Sequence, residues 1–475
     1  MDVAIAGAGI TGLAAAISLR RSGHRVTIYE RSSMNNELGA AINVPPNVGR
    51  FLVPMGLDPV KARFVKSKGM RFDSYTTMEA GAFHDHSRNI DVWGAPLYYS
   101  HRVDLHESLK RLATEPDGVG VPAKVVLKSE VVRYDPDGPS LTLANGSVVA
   151  TDLIIAADGI HSVAVGAILG HSNPPQPANH NNCCYRFLIT KAELEAHEDT
   201  KFFVEPPGSL ICRIYADQKR SRRLVTYPCR DYEVINFVGI CKVENFSDNK
   251  EDWQCSVNKS EVLKVFEGYH PSILAVIDKA TEVKRWPLLY RPPIATWHKG
   301  RLAVAGDAAH PMLPHHGQGG SQGIEDGLAL GLTMHGVTNP SQIEKRLELY
   351  EKTRRNRASS IQVLSNFGYD EAAPPDLAAF LEAEGQPIPA SMGDMVKLAY
   401  GHDNVERVVS IMTEFDPDWK LPGGFFPAKT ASAMTNAKPA IGAVTGETDS
   451  IVKFHLKGSS AIVQEIALSE GVESS

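Results

Sequence analysis

DVAIAGAGITGLAAAISLRRSGHRVTIYE, running from Asp2 to Glu30, is the stretch whose reading decides the fold. The apolar run Val3 to Ala6 leads into Gly7, Gly9 and Gly12, and then into a helix-favouring run from Leu13 to Arg21 that stops at Gly23. This order reads as strand, tight turn and helix. Gly7 allows the turn, Gly9 lets backbone approach a phosphate, and Gly12 lets the helix lie against its strand, so that a pyrophosphate can rest on the helix N-terminus. A second strand, Arg25 to Tyr29, ends on Glu30, whose carboxylate can accept hydrogen bonds from a ribose diol. A GxGxxG alone is weak, because glycine turns between strand and helix are common. With the helix, the second strand and the terminal acid it predicts a bound adenine dinucleotide; the plainer alternative is a tight βα turn in an unliganded α/β protein.

Two further runs share the design of VAIAGAG: LIIAADG from Leu153 to Gly159, and LAVAGD from Leu302 to Asp307. All are too uniformly apolar for a one-sided strand and suit the interior of a parallel sheet covered on both faces. Ligands gather beyond the carboxyl ends of such strands, so these distant segments are expected to converge on one elongated ligand. The 475 residues suffice for two or three domains, and a net charge of −6 gives no electrostatic case for nucleic acid or an acidic membrane surface. Six cysteines (Cys183, Cys184, Cys212, Cys229, Cys241, Cys255) lie in one middle segment without a CxxC pair, and read as reduced small hydrophobes rather than a disulfide frame or metal site. No apolar run approaches a membrane span, and the chain opens on a nucleotide-binding strand with no room for a signal peptide, so the expected location is cytoplasmic.

Between these runs, Arg31 to Asn47 reads as loop, Asn47 to Met55 as a short helix, and Asp104 to Ala113 as an amphipathic helix with Asp104 near its N-cap. Val125 to Val149 alternates around turn signals at Pro136-Asp137-Gly138 and Asn145-Gly146, as in a β-meander. Strands then follow one another: Cys183 to Ile189, Lys201 to Glu205, Leu210 to Tyr215, Arg223 to Cys229, and Val234 to Cys241. They predict an inserted antiparallel sheet able to roof a pocket. Helices are expected at Ser260 to Glu267, Pro271 to Lys279, and Gln342 to Leu364, the last carrying Arg354, Arg355 and Arg357. Lys420 to Ser475, rich in Gly, Ala, Thr and Ser, reads as a loosely attached or partly disordered tail.

Gly300 to Leu330 supplies the third contact with the ligand. After the strand ending at Asp307 and a proline-punctuated loop, Gly317-Gln318-Gly319-Gly320 opens a helix. Gly319, Gly323, Gly327 and Gly331 fall four apart, so one face lacks side chains and can approach another backbone or a flat ring. The helix N-terminus offers free N–H groups and a positive dipole end, which suits the negative N1 and C2-carbonyl edge of a reduced flavin.

GAGITG with Glu30, the Asp158-Gly159 step, and Gly306-Asp307 followed by HPMLPHHGQGGSQGIED together resemble the motifs of single-component FAD-dependent aromatic monooxygenases of the para-hydroxybenzoate hydroxylase fold. The run around Trp286, Trp297, Pro314, His315 and His316 is most similar to the salicylate-hydroxylase-like branch, which includes natural-product tailoring enzymes. The likeness covers about Asp2 to Asn366. It implies an α/β fold: a Rossmann-like FAD-binding domain (1–175, with a return segment and helix at 286–370), an inserted antiparallel-sheet substrate domain (176–285), and a helical C-terminal region with a loose tail (371–475). It implies FAD pyrophosphate at Gly7, Gly9 and Gly12, adenosine ribose at Glu30, and further cofactor contacts at Arg31, Ala41 and Arg102. Asp307 would bind ribitol or pyrophosphate, and the backbone of Gly317, Gly319 and Gly320 would hold the isoalloxazine. Asp158 would sit where cofactor and nicotinamide donor meet. The family usually carries arginines just after its Asp-Gly step, whereas Ile160 to Val165 has none, so NADH and NADPH both stay open as donor.

Arg186, in CCYRFLI, is either a snorkelling edge-strand arginine or, as the family supports, the holder of a substrate phenolate or carboxylate. Arg213 and Tyr215 share one strand face and are either sheet-surface or catalytic residues. His315 and His316 are polar loop residues or a base for the substrate hydroxyl. Lys219, Arg220, Arg222 and Arg223 read as a solvated hairpin tip, or else a dock for the donor's phosphate. The implied reaction has NAD(P)H reducing FAD, O2 adding to give a flavin hydroperoxide, and one oxygen passing to a phenolic or aromatic-acid small molecule, in secondary metabolism. No second GxGxxG follows a strand, so the donor is expected to bind transiently; the chain is expected to be a monomer or weak homodimer. Epoxidation or dearomatising oxidation on the same scaffold is the alternative chemistry, and a flavin-binding protein without turnover the alternative class.

Overall fold

The computed structural model describes residues 1–34, 40–178, 182–205, 210–243, 255–366 and 375–426. Asp2–Ala6 lies inside a six-stranded sheet ordered His298–Lys299, Leu302–Val304, Leu153–Ala156, Asp2–Ala6, Arg25–Tyr29, Lys124–Val126. Every pairing is parallel except the one made by the His298–Lys299 edge. The three apolar runs are therefore neighbours, and burial on both faces explains their composition: Ile5, Leu153, Ile155 and Val304 are all fully covered. Their carboxyl ends finish level, with Gly7 N–H donating to Tyr29 O at 2.8 Å, Ala157 N–H to Ala6 O at 2.9 Å, and Ala305 N–H to Ala156 O at 3.0 Å.

The helix Ile10–Arg21 runs back from the first strand and packs on the helix Gly319–Met334. The glycine stripe of the latter serves this contact. A Cβ at Gly327 would lie 2.5 Å from Ala15 N, and one at Gly331 would lie 2.4 Å from Ser18 Cβ, so backbone meets backbone where side chains are missing.

An eight-stranded sheet forms the second layer, ordered Ser256–Val257, Val283–Pro287, Cys183–Thr190, Val234–Cys241, Arg222–Cys229, Cys212–Asp217, Gly69–Asp73, Ala80–Asp85. It is antiparallel except where Cys212–Asp217 meets Gly69–Asp73. Two of its strands come from well ahead of residue 176, so the sheet is wider than the 176–285 segment. On its outer face Tyr185, Phe187, Leu224 and Phe237 pack with Val262, Ile273 and Ile277 of the helices Lys259–Val265 and Pro271–Lys279.

Several local expectations are corrected. Lys201–Phe203 is a 3₁₀ turn, not a strand, because Phe203 turns inward onto Tyr215 and Phe237 (ring centroids 6.2 and 5.7 Å). Part of the supposed loop after Arg31 is a strand, Ala41–Val44, which finds its partner in Tyr98–His101. The amphipathic helix starts at Arg102 with His101 as N-cap, and Asp104 instead takes Arg230 at 2.7 and 3.0 Å. The start of the expected loose tail is docked: Phe425 and Phe426 are buried, and Arg21 Nη1 donates to Phe425 O at 2.6 Å. The rest of that tail lies outside the described residues. No helix among the described residues is long and apolar enough to cross a membrane.

Candidate active site

The first glycine turn is fixed through both main-chain groups of one residue. Ala8 N–H donates to Glu30 Oε2 and Ala8 O accepts from His106 Nε2, each at 2.7 Å. Gly7 has φ +93°, and a Cβ there would lie 2.4 Å from Ala157 O. Over Gly9 the space is open to 4 Å. No side chain caps the N-terminus of Ile10–Arg21 or of Gly319–Met334, so both present N–H groups to a ligand.

Asp307 is exposed although Gly306 and Ala308 beside it are buried, as a side chain lining a deep cleft would be. This enclosure pushes its carboxyl pKa up, while His310, Arg102 and Arg291 pull the other way. Arg102 and Asp307 thus face one another electrostatically across segments two hundred residues apart. Asp158 lies against the glycine turn, with its Cα 3.0 Å from where a Gly7 Cβ would be. Burial raises the Asp158 pKa against hydrogen bonds from Ser162 and Tyr134 (2.6 Å), with exposed Arg31 also close enough to lower it. Ala41 is buried at the junction with the second sheet: Ala41 N–H donates to Asn236 Oδ1 (3.3 Å), and Tyr227 OH donates to Ala41 O (3.2 Å). Beside this strand stand Gly317 and Gly320. A Cβ at Gly317 would meet Asn43 Nδ2 at 2.7 Å, and one at Gly320 would meet Ile42 Cδ1 at 2.8 Å, whereas Gly319 is looser, 3.7 Å from Met312 Cβ. Asn43 Oδ1 is buried without a hydrogen-bond partner among the described residues.

The register of the eight-stranded sheet decides which side chains share its inner face. Arg186 stands opposite Val238, and Val238 opposite Val225; Cys184 stands opposite Ile240, and Ile240 opposite Arg223. Leu313, in the loop after Asp307, packs on Cys184, Val238 and Ile240, which brings that loop under this face. The Arg186 guanidinium lies 4.0 Å from the Trp286 ring centroid, and its Nε is buried with no hydrogen-bond partner among the described residues. No carboxylate pairs with it among the described residues. Arg223 donates to His315 Nδ1, which leaves the ring hydrogen on Nε2. Burial, with Arg223 and His316 acting in the same sense, pushes the His315 pKa well below its ordinary value, which favours the neutral ring. His316 Nε2 donates to Leu364 O at 3.1 Å.

Arg213 and Tyr215 fall on the opposite face, in the core under the helices. Arg213 stacks on Phe202 (4.1 Å) and nears Asp73 (4.0 Å), and the pair lies on the face opposite to that of Arg186. The basic run is not a solvated tip throughout. Lys219 and Arg220 are exposed, but Arg222 is buried on Asp217 (2.9 Å), and Arg223 faces the loop. Sequence reasoning missed His106 and Asn236, which betray themselves only by spatial partners. It also missed Glu325 and Asp326, for which there was a signal: two adjacent acids inside an otherwise apolar, glycine-spaced helix.

Uncapped helix ends, open space over Gly9, a cleft-lining carboxylate and an unpartnered amide oxygen suit a long cofactor with an anionic middle and a polar ring. The sequence profile of the FAD binding domain family matches residues 1–364. The chain belongs to this FAD-binding family. A similar member, the FAD-dependent monooxygenase cfoG of Aspergillus candidus, is 44% identical over 428 residues, covering 90% of this chain and 98% of the relative. Hispidin-3-hydroxylase of Neonothopanus nambi is 33% identical, covering 79% of this chain and 90% of the relative. A salicylate hydroxylase in complex with its substrate shares the fold, with a TM-score of 0.68 at 23% identity over 86% of this chain and 98% of that one. This member of the family is a FAD-dependent monooxygenase. A ligand that binds only the folded chain stabilises it by mass action, so free FAD at about 100 times its Kd is expected to add about 2.7 kcal/mol to the apo-protein. Thermal melts with and without FAD check this.

Proposed function

We propose that this monooxygenase hydroxylates a phenolic or aromatic-acid small molecule whose anionic oxygen is held by Arg186. One observation carries the reading: a guanidinium stacked on Trp286, with a buried Nε that has no hydrogen-bond partner among the described residues, on the sheet face that looks toward the Asp307–Gly320 loop. When bound, FAD supplies the redox chemistry, with NAD(P)H as reductant and O2 as the oxygen source. A cation beside a phenol lowers the phenol's pKa, and the resulting phenolate ring is the more electron-rich partner that oxygen transfer needs. His315 stands on the loop side of the same face, held to Arg223, while sheet and loop together exclude water from the ring. In this reading Gly7, Gly9 and Gly12 would hold the pyrophosphate. Glu30 and Arg31 serve the adenosine, Ala41, Arg102 and Asp307 the middle of the cofactor, and the Gly317, Gly319 and Gly320 backbone the isoalloxazine. Asp158 marks the donor's approach. The parallel-sheet unit is the cofactor domain and the antiparallel sheet the substrate domain. The relative named as a hispidin hydroxylase supports an aromatic substrate in secondary metabolism, and the six cysteines without a CxxC pair support a cytoplasmic location.

The test is substrate-accelerated NAD(P)H oxidation against a panel of phenols and aromatic acids, with product masses. Arg186→Met is expected to raise KM for the accepted acid about 10- to 150-fold, the worth of a charge-assisted hydrogen bond, with FAD content unchanged. An unaltered KM would remove Arg186 from the site. Failure of every compound to accelerate donor oxidation would remove phenols and aromatic acids as the substrate class.

A further inference from the structure

The Gly319–Met334 helix carries Glu325 and Asp326 at its centre, both completely buried beside Arg354 and Arg357 of the helix Ile343–Ser365. Asp326 Oδ2 accepts from Gly306 N–H at 2.8 Å and from His310 Nε2 at 2.6 Å, while its Oδ1 accepts from Arg354 Nε at 2.8 Å. These bonds close the turn from which Asp307 reaches into the cleft. Glu325 accepts from Arg354 Nη1 at 2.5 Å, from Arg357 Nε at 2.8 Å, and from Asn47 Nδ2 at 2.7 Å, just beyond the Ala41–Val44 strand.

The same cluster reaches the C-terminal helices Met392–Tyr400 and Asn404–Phe415. Arg357 donates to Leu398 O at 2.9 Å and to Ala399 O at 3.0 Å, and Asn404 Nδ2 donates to the Glu325 carbonyl at 2.8 Å. Arg50, on the helix that holds Asn47, donates to Tyr400 O. Burying ions costs several kcal/mol each, and apolar packing of the same volume often stabilises a fold as well or better. What the ions add is directional geometry, and here every direction ends on a segment bordering the cleft or on 398–404.

We propose that Asp326 and Glu325 are positioning residues for FAD, and that residues 392–415 set cofactor affinity through Arg357 and Asn404. The proposal rests on FAD lying at Asp307. Coupling of this kind is reciprocal: a segment that sets FAD affinity is itself stabilised when FAD binds.

Backbone amide exchange of the full chain, apo against FAD-loaded, reads this directly. The expected result is slower exchange at 304–312 and also at 396–406. Slowing at 304–312 alone overturns the proposal but leaves the cofactor placement standing, whereas no slowing at 304–312 overturns the placement itself. Asn404→Ala removes one hydrogen bond and no charge. It is expected to weaken FAD binding about 3- to 10-fold and to abolish the slowing at 396–406, with the apo melting point nearly unchanged. An unchanged FAD Kd in this variant also overturns the proposal.

Discussion

Gly12→Ala is expected to give a protein that no longer retains FAD. The added Cβ would lie 2.0 Å from Gly7 O and 3.3 Å from Ile5 Cγ2. The nearer atom is backbone at the turn itself and has no rotamer to escape into. Relief has to come from moving the helix off the strand, and the turn cannot follow freely because Ala8 is held by both Glu30 and His106. Overpacking of this kind costs about 1–3 kcal/mol or more, and the displaced N-terminus loses its aim at the phosphates. An FAD Kd raised more than about 100-fold, which is about 2.7 kcal/mol, is the expected reading by flavin absorbance after dialysis. Gly9→Ala is the informative companion. Its Cβ meets no protein atom within 4 Å, so the apo-protein should melt normally while FAD affinity falls, because the space it fills is the ligand's. Equal melting points and equal FAD content for all three proteins would remove the glycine turn from the binding site.

Glu325→Gln should be the most damaging substitution to stability. It leaves Arg354 and Arg357 facing a neutral amide in a completely buried cluster, and breaking such a pair costs about 3–5 kcal/mol. Burial alone would raise the Glu325 pKa, yet Arg357 and Arg354 outweigh it and hold the carboxyl well below its ordinary range. A depressed carboxyl contributes fully above its unfolded pKa, near 4.3 for glutamate, and loses that contribution progressively as pH falls from there to the lower folded value. The stability gap between wild type and Glu325→Gln is therefore expected to be flat from neutral pH down to about 4.3 and to shrink below it. Denaturant melts across that range check it, and a gap that widens on acidification would refute the ion-pair account.

What the sequence made legible was what its local chemistry over-determines. The Gly7, Gly9 and Gly12 turn, the acid at Glu30 and the three two-sided apolar strands all state their surroundings in their own residue types. Pro271–Lys279 even has the expected limits, its proline sitting at the helix start. What stayed hidden depended on partners far along the chain. Alternation correctly placed Arg213 and Tyr215 on one face. Which face looks toward the cleft is a matter of register, and a strand's parity against Arg186 is set across two intervening strands. Arg222 and Arg223 are adjacent and look alike as letters, yet one is buried on Asp217 and the other points at the loop. Ala41–Val44 is a strand only because Tyr98–His101 arrives to pair with it.

The order in which the parallel strands occur along the chain bears on how the protein is made. Leu153–Ala156 pairs with Asp2–Ala6 on one side, but its other neighbour, Leu302–Val304, lies some 150 residues further on, beyond most of the antiparallel sheet. At ribosomal speeds of roughly 5–20 residues per second, that edge waits on the order of 10–30 seconds with one side of an apolar strand unpaired. Nascent chains stalled before Leu302 therefore present a sticky, half-built sheet, and slower elongation or chaperone supply in a production host bears on yield at that one seam.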